Sequence, residues 1–430
     1  MKKINEEFLH FLWKNQHLTG VTYYTTDNFD LDVLDPGVHN QDAGPDFSNA
    51  RIRINNTIWA GNVELHINAS DWIKHEHSND PAYNTVILHV VYFNDCTITR
   101  STGEPIPTAV LRFPVMLWDR FSDLEKNNNW ISCQNYLNKI HTLDIVQWTS
   151  SLMIQKLEEK TMNMQLAFKE VKSHWDELFT RILFRGFGTP VNTFPFELLG
   201  LLVPYTILLR NKNTQFSLEA LLFGYAGFLD TRIPNDSYAE QLRNEYLKFA
   251  YKPHHYIVPL QSWKFMRMRP SSFPSIRLAQ LSSLIHYHFP MHEILKKQPD
   301  KSELNKLLKV RASDYWNTHY QFGKESNFKE KYIGDQFINT LIINTIVPYM
   351  ALHARIENKA SFMDYAIGLL EELPPEKNVI LKKWGTFGIS CTNALESQAI
   401  LYLYKTYCTN KKCLNCQFGN KVLINGKAPN

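Results

Sequence analysis

Gly44-Pro45-Asp46-Phe47, then Trp59 to His66 (WAGNVELH), then His75-Glu76-His77-Ser78-Asn79-Asp80-Pro81-Ala82-Tyr83, then the apolar run Val86 to Val91, decide how this chain folds. Ala50 to Ile54 alternates apolar and polar residues, as a strand buried on one face does. Asn55-Asn56 supplies a turn and residues 58–67 a second strand, so the two read as a hairpin. Residues 71–84 are polar, open on Ser70 or Asp71 as a cap, and read as a short helix. Thr85 to Phe93 is almost wholly apolar, the pattern of a strand covered on both faces.

Upstream, residues 4–17 place Phe8, Leu9, Phe11, Leu12 and Trp13 at helical spacing, with Glu6 and Glu7 suiting the positive end of the helix dipole. Residues 21–26 and 31–34 are β-branched and aromatic and stop at Pro36-Gly37, so they read as strands. Downstream, 97–100 and 107–113 read as two further short strands. From about residue 142 apolar residues recur at helical spacing, with Gly and Pro at the breaks, and no repeat of fixed period appears. The expected fold is α+β. An α/β sheet domain fills residues 1–120, a large, mainly α-helical domain fills 121–417, and 418–430 form a loose tail.

Composition narrows the class. With 430 residues, 44% hydrophobic and 20% charged, the chain is long enough for more than one globular core. Lys and Arg exceed Asp and Glu by 46 to 42, a mild excess that permits a polyanionic partner without demanding one. Met1-Lys2-Lys3 runs into Asn5-Glu6-Glu7 rather than an apolar run, and the most apolar stretch, 198–209, is interrupted by Gly200 and Pro204. A cytoplasmic protein with no membrane segment is expected.

Chemistry concentrates on the hairpin. Glu64 and His66 are two apart and share a strand face, and Asp46 can lie across from Glu64 if the strands pair. Converging carboxylates repel unless a cation separates them, and Mg²⁺ or Mn²⁺ suits oxygen ligands. His75, His77 and His89 admit a second solution, a zinc hydrolase site built with His66. Taken singly, the first two read as a solvated face, and His89 as a hydrogen-bonded core histidine.

The order of helix, strand, Pro45-Asp46, Glu64-x-His66, helix and buried strand resembles the PD-(D/E)XK restriction-endonuclease-like fold. The resemblance implies that Asp46 and Glu64 hold the divalent metal, that Glu6 or Glu7 supports the site, and that Asp80 and Tyr83 help position DNA. His66 stands where that family has lysine, a departure that touches catalysis, because an imidazole is not assured of a charge at neutral pH. The whole chain also resembles a bacterial family that carries a domain-of-unknown-function label. That likeness is carried by residues 35–47 (DPGVHNQDAGPDF), by Gly61 to His66, by the helical body and by Tyr407-Cys408-x4-Cys413-x2-Cys416.

Cys408, Cys413 and Cys416 offer three soft ligands in one turn-rich segment, with Cys133 or Cys391 as the fourth, for zinc or an iron–sulfur cluster. The remote Cys133 with three terminal cysteines resembles the iron–sulfur staple of some nuclease–helicase partners, although the terminal spacing differs. Residues 262–277 interleave Trp263, Phe265 and Phe273 with Lys264, Arg267, Arg269 and Arg277, a pattern that can meet phosphates and stack on bases. The same aromatics at a helix end can equally be core. The leading expectation is a metal-dependent nuclease or nucleic-acid-processing protein, in which His66 assists the attacking water. A non-catalytic adaptor with a degenerate nuclease-like core, offering its helices to protein partners, is the competing class.

Overall fold

The computed structural model describes residues 4–16, 18–27, 29–40, 42–230, 236–249 and 256–425. The chain divides into two compact units. The first comprises Met1–Trp148, Thr386–Ile389 and Tyr402–Asn430; the second comprises Thr149–Gly385 and Ser390–Leu401. The class is α+β, a mixed sheet followed by a large helical region.

Helix α1 (Glu6–Lys14) opens the first unit, and the Asn5 side chain accepts the Phe8 N–H at 3.0 Å to cap it. Its apolar stripe, Phe8, Leu9, Phe11, Leu12 and Trp13, is buried, and the Trp13 indole donates to the Pro36 carbonyl at 3.0 Å. Each such side chain contributes roughly 1.5–3 kcal/mol on leaving water, enough to hold the helix on the sheet. The strands are β1 (Thr22–Thr25), β2 (Leu31–Asp35), β3 (Val38–His39), β4 (Phe47–Ile54), β5 (Thr57–Asn68), β6 (Val86–Phe93) and β7 (Thr108–Arg112). They lie in the order β1-β7-β6-β5-β4-β2, with β3 also on β4, and the sheet curls nearly into a closed barrel.

Strands β4 and β5 form the antiparallel hairpin, turning at Asn55 with φ of 52°. Asparagine tolerates that left-handed conformation better than most residues. The chain then crosses to β6 in parallel, and β6 pairs with β7 in parallel. Gly61 is required at that crossing, because a Cβ there would meet Ile87 Cγ2 at 2.4 Å. Polar residues 71–84 form helix α2 (Asp71–Lys74) and two single 3-10 turns rather than one helix, and Trp72 and Tyr83 fold inward over Val86. The strand expected over 97–100 supplies only one bridge, Thr99 with Pro105, because the chain reverses at Gly103.

The loose tail expected over 418–430 is a correction. Residues Gln417–Asn425 are helical, Phe418, Val422 and Leu423 are buried, and Lys421 meets Asp144 at 3.0 Å. Apolar residues four and five apart give this helix a core face that its polar neighbours conceal in the sequence. Residues 426–430 lie outside the described set.

The second unit is built mainly of helices, and an unforeseen two-stranded hairpin, β8 (His319–Gln321) with β9 (Lys324–Glu325), sits among them. Residues 193–211 form two helices bent by 78° at Pro204, where the sequence suggests one. The helix Asp335–Glu357 is long and apolar enough to cross a bilayer by composition, but 83% of its apolar window is buried within the unit, as in a core helix.

Glu219, on the helix Gln215–Tyr225, is fully buried and accepts from the Tyr238 hydroxyl at 2.7 Å, the Trp316 indole at 3.2 Å and Gln215 Nε2 at 3.4 Å. Burial raises its pKa above the ordinary carboxylate value, and these donors, with the Ser313 hydroxyl, only partly oppose that. A raised folded pKa means stability that is complete below the unfolded value and is lost as pH rises through the folded one. Denaturant midpoints of the wild type should therefore fall as pH rises from the ordinary carboxylate range, with about 1.4 kcal/mol lost for each tenfold gain in proton affinity on folding. In Glu219→Gln that component should vanish; superimposable pH profiles for the two proteins would refute it.

Candidate metal centre

Period-two alternation on β5 turns Glu64 and His66 to one face, and the parallel register sets Glu64 opposite His89 on β6, so His89 joins the same face. His75 ends α2, and His77 begins the next turn. Between them Glu76 takes a left-handed conformation, φ 59°, which breaks the helix and lets both imidazoles turn to the sheet. His10, one turn after Glu6 on α1, reaches the cluster from the other side.

The distances are short. His66 Nε2 lies 3.1 Å from His75 Nδ1 and 3.6 Å from Glu64 Oε1, and His77 Nε2 lies 3.3 Å from the same Oε1. One ring nitrogen of each of His66, His75 and His77 lies within 4.8 Å of the other two. His66 Nδ1 meets His89 Nε2 at 2.8 Å. The structure brings Asp46 and Glu64 together: Glu64 Oε2 accepts the Asp46 N–H at 3.0 Å, and Asp46 Oδ2 accepts the Leu65 N–H at 2.9 Å. Asp46 Oδ2 also meets His10 Nε2 at 3.1 Å.

His66 is 2% exposed and His89 fully buried, while His75 is exposed and gives the cluster its opening to solvent. Burial, reinforced by neighbouring imidazoles, holds the pKa values of His66 and His89 down to about 3, so both rings are neutral. Burial would raise Asp46, yet contact with His10 and the Leu65 N–H hold it below the ordinary range. Burial would likewise lower His10, and the Asp46 carboxylate outweighs it, so His10 is raised. Glu64 is raised, by burial first and despite His77.

Three buried ring nitrogens here, His10 Nε2, His77 Nε2 and His89 Nδ1, have no aligned hydrogen bond. His10 and His77 each face a carboxylate oxygen there, at 3.1 Å and 3.3 Å. Of these three residues, His77 belongs with His66 and His75 to the set of ring nitrogens close enough to share one ion. A nitrogen-rich donor set favours zinc, copper, iron or nickel over magnesium.

Asp80 caps the second 3-10 turn through the Ala82 N–H at 2.9 Å, and Tyr83 stacks on His77 at 3.8 Å between centroids. Tyr83 therefore walls the cluster and fixes a histidine. His10 is the member that sequence reading missed. Its signal was the Glu6/His10 spacing of one helical turn, which faces two polar groups inward beside an otherwise apolar stripe.

A family model described as a protein of unknown function, DUF2851, matches residues 6–379, which include every residue of this cluster. The chain belongs to the DUF2851 family. No curated protein and no solved structure matches it. The DUF2851 match ends before Cys391, so the terminal cysteines lie beyond it.

Elsewhere in this DUF2851 chain the remaining candidates separate. Cys133, Cys408, Cys413 and Cys416 gather in the first unit, whereas Cys391 belongs to the second, beside Glu396. Arg277 is a correction as a nucleic-acid contact. It is buried, its guanidinium lies 3.4 Å over the Phe337 ring, and it donates to Gln280 Oε1 at 2.9 Å. Lys264, Arg267 and Arg269 are exposed, but the aromatics between them are packed. Trp263 donates to the Ala226 carbonyl, and Phe265 packs edge-on to Phe273 at 5.1 Å.

Proposed function

We propose that this DUF2851 protein is a metal-dependent hydrolase whose centre is the imidazole–carboxylate cluster on β5, α2 and the turn after it. The observation that supports it is donor spacing. Glu64 Oε1, His66 Nε2, His75 Nδ1 and His77 Nε2 stand 3.1 to 3.6 Å apart along the three contacts between them. Ligands about 2.0–2.1 Å from a tetrahedral zinc would stand about 3.3 Å apart, and of these four donors the three histidines each place a ring nitrogen within 4.8 Å of the other two. His66, His75 and His77 would hold the ion, with Glu64 beside it and the fourth position open to a water; the ion would supply a Lewis acid and lower the pKa of that water. His66 can donate its Nδ1 proton to His89 Nε2, which fixes the tautomer that leaves Nε2 free. His10 Nε2, beside Asp46 Oδ2, holds a proton where a leaving oxygen can take it. Phosphodiesters of nucleic acid are the substrate class suggested by the order Pro45-Asp46, Glu64-x-His66.

Labelled single- and double-stranded DNA and RNA, incubated with the full chain and Zn²⁺, Mn²⁺ or Mg²⁺, test this reading. Cleavage is expected with Zn²⁺ or Mn²⁺, and Asp46→Asn should slow it about 10²- to 10⁴-fold, the range for loss of a positioned proton-transfer group. Cleavage that survives both Asp46→Ala and Glu64→Ala would sink it.

A further inference from the structure

The first unit contains a second donor cluster, distant in sequence and unlike the first in chemistry. Cys408 ends the turn Tyr404–Cys408, Cys413 begins the 3-10 turn Cys413–Asn415, and Cys416 directly precedes the helix Gln417–Asn425. Cys133 comes from the far side of the chain, just before the 3-10 helix Gln134–Lys139. The fold gathers all four, so that Cys408 lies within electrostatic reach of the other three. Cys133 and Cys416 are buried, Cys408 and Cys413 partly so, and all are free thiols.

The surroundings are those of sulfur anions. The backbone N–H groups of Phe418 and Gly419 are directed at the Cys416 sulfur, and the Ser132 hydroxyl at that of Cys413. The Trp148 indole N–H also faces Cys416, yet it is buried without an aligned hydrogen bond. Donors converging on a thiol gain little, because protonated sulfur is a weak acceptor, whereas a thiolate accepts several. Gly419 makes the arrangement possible, since a Cβ there would fall 2.1 Å from the Cys413 carbonyl oxygen. Four thiolates packed together repel unless a cation holds them.

We propose that Cys133, Cys408, Cys413 and Cys416 hold a thiophilic metal centre through four thiolates, pinning the C-terminal helix to the segment after residue 126. The class is zinc or an iron–sulfur cluster. Thiolates on one zinc stand about 3.8 Å apart. No three of these sulfurs lie within 4.8 Å of one another. A closed set of four protein ligands leaves no position for substrate, so the role is structural. The centre is independent of the proposed hydrolase, because it shares no residue with the histidine cluster.

The test is metal and acid-labile sulfide analysis of the full chain purified without oxygen, with a visible absorption scan, in a His77→Ala background that removes the competing site. Iron with sulfide and broad visible absorption identifies a cluster. Zinc with no colour, replaced by Co²⁺ to give thiolate charge-transfer bands, identifies a single ion. Either supports the centre. Cys133→Ser and Cys416→Ser should each lose the metal and those bands, while Cys391→Ser keeps both. Should the serine variants fail to fold, removing metal from the parent with a chelator replaces them, and a reversible fall in its unfolding temperature is expected. No metal in the parent, or a folded Cys416→Ser that keeps its full complement, overturns the proposal.

Discussion

Glu64→Ala and His77→Ala should each weaken zinc binding by the first unit by more than about 100-fold, since loss of even an outer partner of a metal ligand costs 10- to 100-fold. The two residues act through one geometry. Glu64 Oε1 lies 3.6 Å from His66 Nε2 and 3.3 Å from His77 Nε2, so either change strips a group from the immediate surroundings of the ion. His89→Phe should cost less, within about 10- to 100-fold, because it deletes only the acceptor that orients His66. Competition with a chromophoric chelator measures all three, and Cys413→Ser serves as a control that leaves these donors intact. Equal affinity in Glu64→Ala and wild type would show that the short contacts are ordinary buried hydrogen bonding and no binding site.

In the second unit Trp316→Ala should be the most damaging single change we can name. Trp316 is fully buried, stacks on Phe223 with centroids 5.2 Å apart, contacts Phe322 and donates its indole proton to Glu219. Removing a buried tryptophan costs roughly 3–5 kcal/mol in transfer and cavity terms. Here a buried carboxyl also loses one of its donors. For a unit of this size that corresponds to a fall in Tm of about 10 °C. Trp316→Phe, which keeps most of the ring and loses the donor, should fall between. A calorimetric drop below about 1 kcal/mol would mean that the surrounding helices collapse onto the space.

Much of this was legible beforehand because it depends on short-range pattern. The alternation of Ala50 to Ile54, the Asn55-Asn56 turn and the unbroken apolar run of β6 each dictate a local structure that tertiary contacts only confirm. The meeting of Asp46 with Glu64 was only half legible: the hairpin follows from the turn, but that register alone sets Asp46 opposite Leu65, and a bulge between Phe47 and Ala50 shifts it by one residue. What escaped were features set by backbone conformation or by long-range packing. His75 and His77 look solvated in sequence, because nothing local announces that Glu76 will turn left-handed between them. Arg277 looks like a phosphate contact until Phe337, sixty residues away in the chain, takes its guanidinium face. The Gln417–Asn425 helix looked loose because its anchors, such as Asp144, are hundreds of residues upstream.

Glu76 keeps its left-handed backbone at a cost. A non-glycine in that conformation carries about 1–2 kcal/mol of local strain, held in place by the packing on either side. Glu76 offers no ligand atom to the centre, so glycine there would relieve the strain and keep every donor. The stiffness of the histidine loop and the identity of its ligands are thus separate dials. One can be turned, by selection or by design, while the other stays fixed.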